Sequence, residues 1–151
     1  MSRPDGSTVS TPPDRWSSTD IEWEAIEALR SAYSPYSGFR VGAVLEAEDG
    51  SRFTGCNVEN ASYSVTICAE RAALAAAIMA GARSFRRIAI ACSGSRPVSP
   101  CGMCRQALVE FGTDLEVISV TPDGRRTAWQ LDSLLPESFA PEELARPEDG
   151  S

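Results

Sequence analysis

Cys68, Cys101 and Cys104 stand in two short clusters, Thr66-Ile67-Cys68-Ala69-Glu70-Arg71 and Ser99-Pro100-Cys101-Gly102-Met103-Cys104-Arg105-Gln106, in a chain of 151 residues that has no histidine. Three thiolates are one ligand short of a closed structural zinc site. Three protein ligands plus an open position is the pattern of a catalytic zinc that holds water. Glu70, two residues beyond Cys68, offers a carboxylate to carry protons for that water. Without an imidazole base, Ser-His and Cys-His catalysis are excluded. A C-x-x-C pair also serves in redox chemistry or as half of a four-sulfur knuckle, which Cys56 or Cys92 could complete. On the cysteines alone the two readings are even, and a carboxylate at Glu70 could merely favour a helix start. The full spacing, C-A-E followed by P-C-x-x-C, decides for catalysis.

Helices must bring these groups together. Ser99 before Pro100 is a helix-start signal that puts Cys101 and Cys104 in one first turn, three residues apart on one face. Thr66 is placed to cap a second helix, Cys68–Ala80, closed by Gly81 and rich in alanine, so its backbone can lie close to a sheet. Cys68 then falls in its first turn. Thiolates at helix N-termini are favoured by the free amides and the dipole, and metal binding needs the thiolate. Three thiolates on Zn²⁺ leave a formal charge of −1, which Arg71, Arg105 and the two dipoles can offset. Around these helices, apolar periodicity predicts a first helix over Ile21–Tyr33, capped by Thr19 or Asp20. A hairpin of Val41–Ala47 and Arg52–Val58 follows, then a buried strand Ile88–Ala91, a helix Gly102–Phe111 and strands Leu115–Val120 and Arg126–Gln130. A short helical piece follows near Leu131–Leu135. The implied fold is α/β in three layers, with one mixed sheet of about five strands between helices.

The length suits one domain with a full core. Residues 1–17, rich in Ser, Thr, Pro, Asp and Gly, read as a flexible leader; 18–146 read as one catalytic domain and 147–151 as a polar tail. A net charge of −7 argues against a nucleic acid polymer as partner and favours a small neutral or cationic substrate. No run is long and apolar enough to span a bilayer, so no membrane partner is expected. The N-terminal residues lack a secretory pattern, which places the thiols in a reducing cytoplasm, where metal binding outranks disulfides. Cys56 and Cys92 read as free thiols.

With these motifs in order, the chain resembles the zinc nucleobase and nucleoside deaminases, whose signature is H/C-x-E followed by P-C-x-x-C. It is most similar to the small homotetrameric cytidine deaminases that use three cysteines. Beyond the two metal clusters, the resemblance rests on Ala32–Ala43 (Ala-Tyr-Ser-Pro-Tyr-Ser-Gly-Phe-Arg-Val-Gly-Ala), Gly55–Ala61 (Gly-Cys-Asn-Val-Glu-Asn-Ala) and Leu134–Phe139 (Leu-Leu-Pro-Glu-Ser-Phe). It implies one Zn²⁺ per subunit on Cys68, Cys101 and Cys104, with a zinc-activated water attacking C4 of cytosine. Glu70 would move protons, first to ring N3 and then to the departing amine. It also implies that the Ala69 backbone contacts the base, that Asn57 and Glu59 hold the ribose, and that Phe39, Tyr63 and Phe139 enclose the substrate. Tyr63 and Phe139 would come from neighbouring subunits, giving a homotetramer with shared active sites. The implied reaction is hydrolysis of cytidine and deoxycytidine in pyrimidine salvage. The competing readings are a deaminase of a blasticidin-type nucleoside antibiotic, a polynucleotide editor, and a catalytically silent structural zinc module.

Overall fold

The computed structural model describes residues 15–144. The polar tail expected at 147–151 lies outside the described residues, as does the leader up to residue 14. Of the leader's last three residues, Trp16 packs against apolar side chains beneath the first helix, and the Arg15 guanidinium donates to the Asp123 carbonyl.

The order is α1 (Ile21–Ala28), β1 (Val41–Ala47), β2 (Arg52–Cys56), α2 (Ala69–Met79), β3 (Phe85–Cys92), α3 (Gly102–Val109), β4 (Glu116–Val120), β5 (Arg126–Gln130) and α4 (Leu131–Leu134). The helix expected over 21–33 stops at Ala28 and tightens into a 3₁₀ turn, Leu29–Ser31. β3 runs longer than its apolar centre implied, because Phe85, Arg87 and Cys92 still find partners on β1. One five-stranded sheet results, ordered β2-β1-β3-β4-β5; β3 and β4 are parallel and the other pairs antiparallel. Mixed and three-layered, the sheet has the architecture the sequence predicts.

The period of two along the strands splits the core. Ala43, Leu45, Ile88, Ile90 and Val117 face α2, α3 and α4, whereas Val44, Ala89, Ala91, Ile118 and Val120 face α1. Burial of this kind contributes roughly 1.5–3 kcal/mol per large aliphatic side chain. Two glycines let the layers close. A Cβ at Gly42 would lie 2.3 Å from the Ala25 carbonyl oxygen of α1, and one at Gly55 would lie 2.4 Å from the backbone of Ala69 and Ala73 in α2. The alanine face of α2 therefore rests directly on β2. Gly81, at φ +94°, ends that helix in the left-handed region expected of it.

The chain crossings gather chemistry at one end of the sheet. Val41 begins β1 there, opposite Cys92 at the end of β3, and β2 ends beside it at Cys56. α2 and α3 both start at this end. Loops beyond the carboxyl ends of strands in open α/β sheets are the usual place for a ligand.

Candidate metal and nucleoside site

Cys68 and Cys101 are themselves the residues that precede the first turns of α2 and α3. Both have extended backbone (φ −73°, ψ 152° and φ −64°, ψ 164°). Thr66 and Ser99, expected as caps, each stand two residues before the capping position. The Ser99 hydroxyl accepts from Arg105 at 2.9 Å, and the Thr66 carbonyl accepts from Arg71 at 3.2 Å. Neither helix has a side-chain cap bond, so the sulfurs stand at amide ends where the helix dipole favours an anion.

The Cys68 and Cys101 sulfurs lie 3.7 Å apart and those of Cys101 and Cys104 3.4 Å apart, with all three within 4.8 Å of one another. A disulfide needs about 2.05 Å, whereas sulfurs ~2.3 Å from a tetrahedral zinc are separated by about 3.8 Å. The donor set therefore fits one zinc ion in both chemistry and spacing. Cys56 and Cys92 are not part of this cluster: their thiols donate to the carbonyls of Ser31 and Arg96, each at 3.3 Å. Among the described residues no fourth sulfur completes the cluster.

Glu70 is 5% exposed and lines, with Cys68, Ala69, Cys101 and Asn57, a cavity of about 180 Å³. Burial pushes its carboxyl up to about 6; its own backbone N–H works against this, and the negative charge on Cys68 reinforces it. A carboxyl titrating close to neutral is suited to exchanging protons. Hydrogen bonds from the Cys104 and Cys101 thiols, and then from Arg71, bring Cys68 down to about 5 against the opposing effect of burial. Cys104, fully buried beneath the cavity, moves the other way because the thiolate of Cys68 takes its proton as a hydrogen bond. The Arg71 guanidinium thus stands beside the sulfurs. Arg105 is committed elsewhere: it donates to the Pro100 carbonyl at 2.8 Å, to the Leu134 carbonyl at 2.7 Å and to Ser99. It staples the loop carrying Cys101 to the end of α4.

Asn57 is buried on the cavity wall. Its amide donates to the Phe39 carbonyl and accepts from the Val41 amide, both at 2.9 Å, which fixes the strand entry beside the metal cluster. Glu59 lies in the adjoining cavity of about 210 Å³ with Tyr36, Ser37 and Tyr63; Thr66 borders both spaces. The Glu59 carboxylate accepts from the Tyr36 and Ser37 amides and from the Ser37 hydroxyl, and the hydroxyl bond chiefly holds its pKa below the usual range. Tyr63 stacks edge-on against Tyr36, with ring centres 5.7 Å apart. Phe39 lies over Gly94 and lines neither cavity. Tyr63 and Phe139, 72% and 57% exposed, do not line the cavity of Glu70 and the sulfurs; Tyr63 borders the adjoining one. Sequence reasoning missed Tyr36, Ser37 and Thr66 as cavity residues, although all three lie inside motifs that it did quote.

Residues 19–120 match the family model described as the cytidine and deoxycytidylate deaminase zinc-binding region. The chain belongs to the cytidine and deoxycytidylate deaminase family. It is thereby an enzyme of a zinc-binding family, as the sequence predicts. The chain is 44% identical over 123 residues to a cytidine deaminase of Sporosarcina psychrophila, covering 81% of this chain and 90% of that one. It is 48% identical over 114 residues to a probable cytidine deaminase of Dictyostelium discoideum, covering 75% and 77%. The crystal structure of cytidine deaminase from Burkholderia pseudomallei superposes with a TM-score of 0.76 at 44% identity, covering 79% of this chain and 96% of that one. Among the described residues no helix is long and apolar enough to cross a membrane.

Proposed function

We propose that this protein hydrolyses cytidine and 2′-deoxycytidine to uridine and 2′-deoxyuridine, releasing ammonia, as a step of pyrimidine salvage in the cytoplasm. The observation that carries the reading is the buried Glu70 beside three sulfurs spaced for one zinc ion. Cys68, Cys101 and Cys104 would hold zinc, which as a Lewis acid would make water a competent nucleophile near neutral pH. Glu70 takes a proton from the attacking water and passes it to ring N3, so that C4 accepts the oxygen without charge building up on the ring. It then carries the proton of the C4 hydroxyl to the amine, so that the carbonyl forms as the C4–N4 bond breaks and ammonia leaves. The Ala69 backbone orients the base, and Asn57 and Glu59 hold ribose hydroxyls. Arg71 offsets thiolate charge directly, whereas Arg105 holds the Cys101 loop in place.

The exposed rings of Tyr63 and Phe139 support a homotetramer in which each protomer closes its neighbour's cavity. An apolar groove between α2 and α3, lined by Leu74, Ile78, Met79 and Phe111, supports it further. The test is a zinc-loaded sample incubated in parallel with cytidine, deoxycytidine, a cytosine nucleotide and a blasticidin-type antibiotic, followed by the ultraviolet change on deamination. Turnover of the two nucleosides, lost in Glu70→Gln with zinc retained, is the expected result. Turnover confined to the antibiotic, or surviving in Glu70→Gln, would overturn it.

A further inference from the structure

Two consecutive residues of α3 reach out to the end of α4 and the chain beyond it. Arg105 grips the Leu134 carbonyl at 2.7 Å, and Gln106 Nε2 donates to the Phe139 carbonyl at 2.8 Å. Between these points the chain has no regular secondary structure, and Pro136 and Glu137 are exposed. The Phe139 ring is itself mostly exposed, so packing within its own protomer does not hold it. Among the described residues, the Gln106 bond is the hydrogen bond that reaches Phe139. It ties that residue to a helix whose first turn carries Cys104.

We infer that Gln106 is a positioning residue: it fixes the backbone of Phe139 against α3 and so sets substrate affinity without touching the chemical step. The inference rests on the reading of Phe139 as a side chain that encloses substrate. A segment that must be ordered on binding lowers apparent affinity in proportion to the fraction of time it is competent. Glu70 and the sulfurs stand on the helix starts and are not moved by loss of this bond. A solvent-accessible neutral hydrogen bond shifts such an equilibrium by roughly threefold to tenfold.

The experiment compares Gln106→Met, which removes the donor while keeping length and helix propensity, in the native and Phe139→Ala backgrounds. In the native background KM for cytidine and the dissociation constant for uridine should both rise about threefold to tenfold, with kcat and zinc content within about twofold. With Phe139→Ala already present, Gln106→Met should add nothing, because the two residues act as one unit. Should Gln106→Met fold poorly, Gln106→Glu sets a carboxylate against the carbonyl and must give the same split. An unchanged KM, a loss of kcat or zinc, or an equal rise in both backgrounds would overturn the inference. If the native protein does not turn over cytidine, the proposed function itself fails.

Discussion

Gly55→Ala tests whether the fold places the metal site through a single close contact. A methyl group at residue 55 lies 2.4 Å from the Ala69 oxygen and the Ala73 nitrogen, and 3.0 Å from the Ala72 carbonyl carbon. That is 1.0 Å short of the 3.4 Å at which ordinary contact begins. All three atoms are helix backbone, so no side chain can turn aside. The start of α2 must retreat by about 1 Å, and Cys68 and Glu70 retreat with it, while Cys101 and Cys104 stay on α3. Zinc–sulfur distances tolerate about 0.2 Å. Overpacking of this kind costs about 1–3 kcal/mol, and a misplacement of about 1 Å costs on the order of 100-fold in rate. The expected outcome is at least about a tenfold loss of zinc affinity and a hundredfold loss of kcat/KM at saturating zinc. Competition with a chromophoric chelator and the cytidine assay read the two. Gly102→Ala is the control: it lies between two metal ligands in sequence, yet a Cβ there meets nothing within 4 Å, and binding and turnover should be kept. Gly55→Ala with affinity and rate within about twofold of native would refute the packing argument.

Metal removal should expose one unusually reactive thiol. In the chelator-treated protein at pH 7, iodoacetamide should label Cys68 well before Cys56, whose thiol burial pushes up, and zinc should protect Cys68. Equal labelling by mass spectrometry would contradict the electrostatics. Burial alone would raise the Glu46 carboxyl, but hydrogen bonds from Arg87 and Arg52 outweigh it and bring it below its ordinary 4.5. A depressed carboxylate stabilises the fold above its unfolded value and loses that contribution as pH falls through the folded one. Urea midpoints should therefore drop more steeply below pH 4.5 for native protein than for Glu46→Gln. At pH 7 that variant should lose about 2 kcal/mol, less than a fully buried pair, because Arg52 and Arg87 keep 25% and 32% exposure. Shared active sites predict complementation: mixing Glu70→Gln and Phe139→Ala subunits should yield more activity than either alone, and a purely additive mixture would exclude sharing.

The sheet and the metal cluster were legible because each rests on a local rule. Strand-forming runs bounded by turn residues marked Val41–Ala47, Arg52–Val58 and Leu115–Val120, and a three-residue spacing at a helix start brought Cys101 to Cys104. The caps were not legible. Ser99 and Thr66 have the right chemistry, but each helix begins two residues later than they would start it, with Cys68 and Cys101 at the capping position, and the Ser99 hydroxyl is taken by Arg105. The same applies to Arg105, whose charge looked directed at the sulfurs and is spent on carbonyls as distant as Leu134. Glu59 also escaped a purely local reading, since its carboxylate is held by Tyr36 and Ser37, more than twenty residues earlier.

β1 joins two very different kinds of fragility. Val41, at its start, borders the cavity of the sulfur cluster, and Glu46, near its end, sits among Arg52, Arg86 and Arg87, about 17 Å further along an extended strand. Chelators attack the first end, and acid too weak to protonate metal-bound thiolates attacks the second, through groups that share no contact. Mild acid and a chelator together should then unfold the protein where neither suffices alone, as a rod clamped at both ends comes loose only when both clamps are undone.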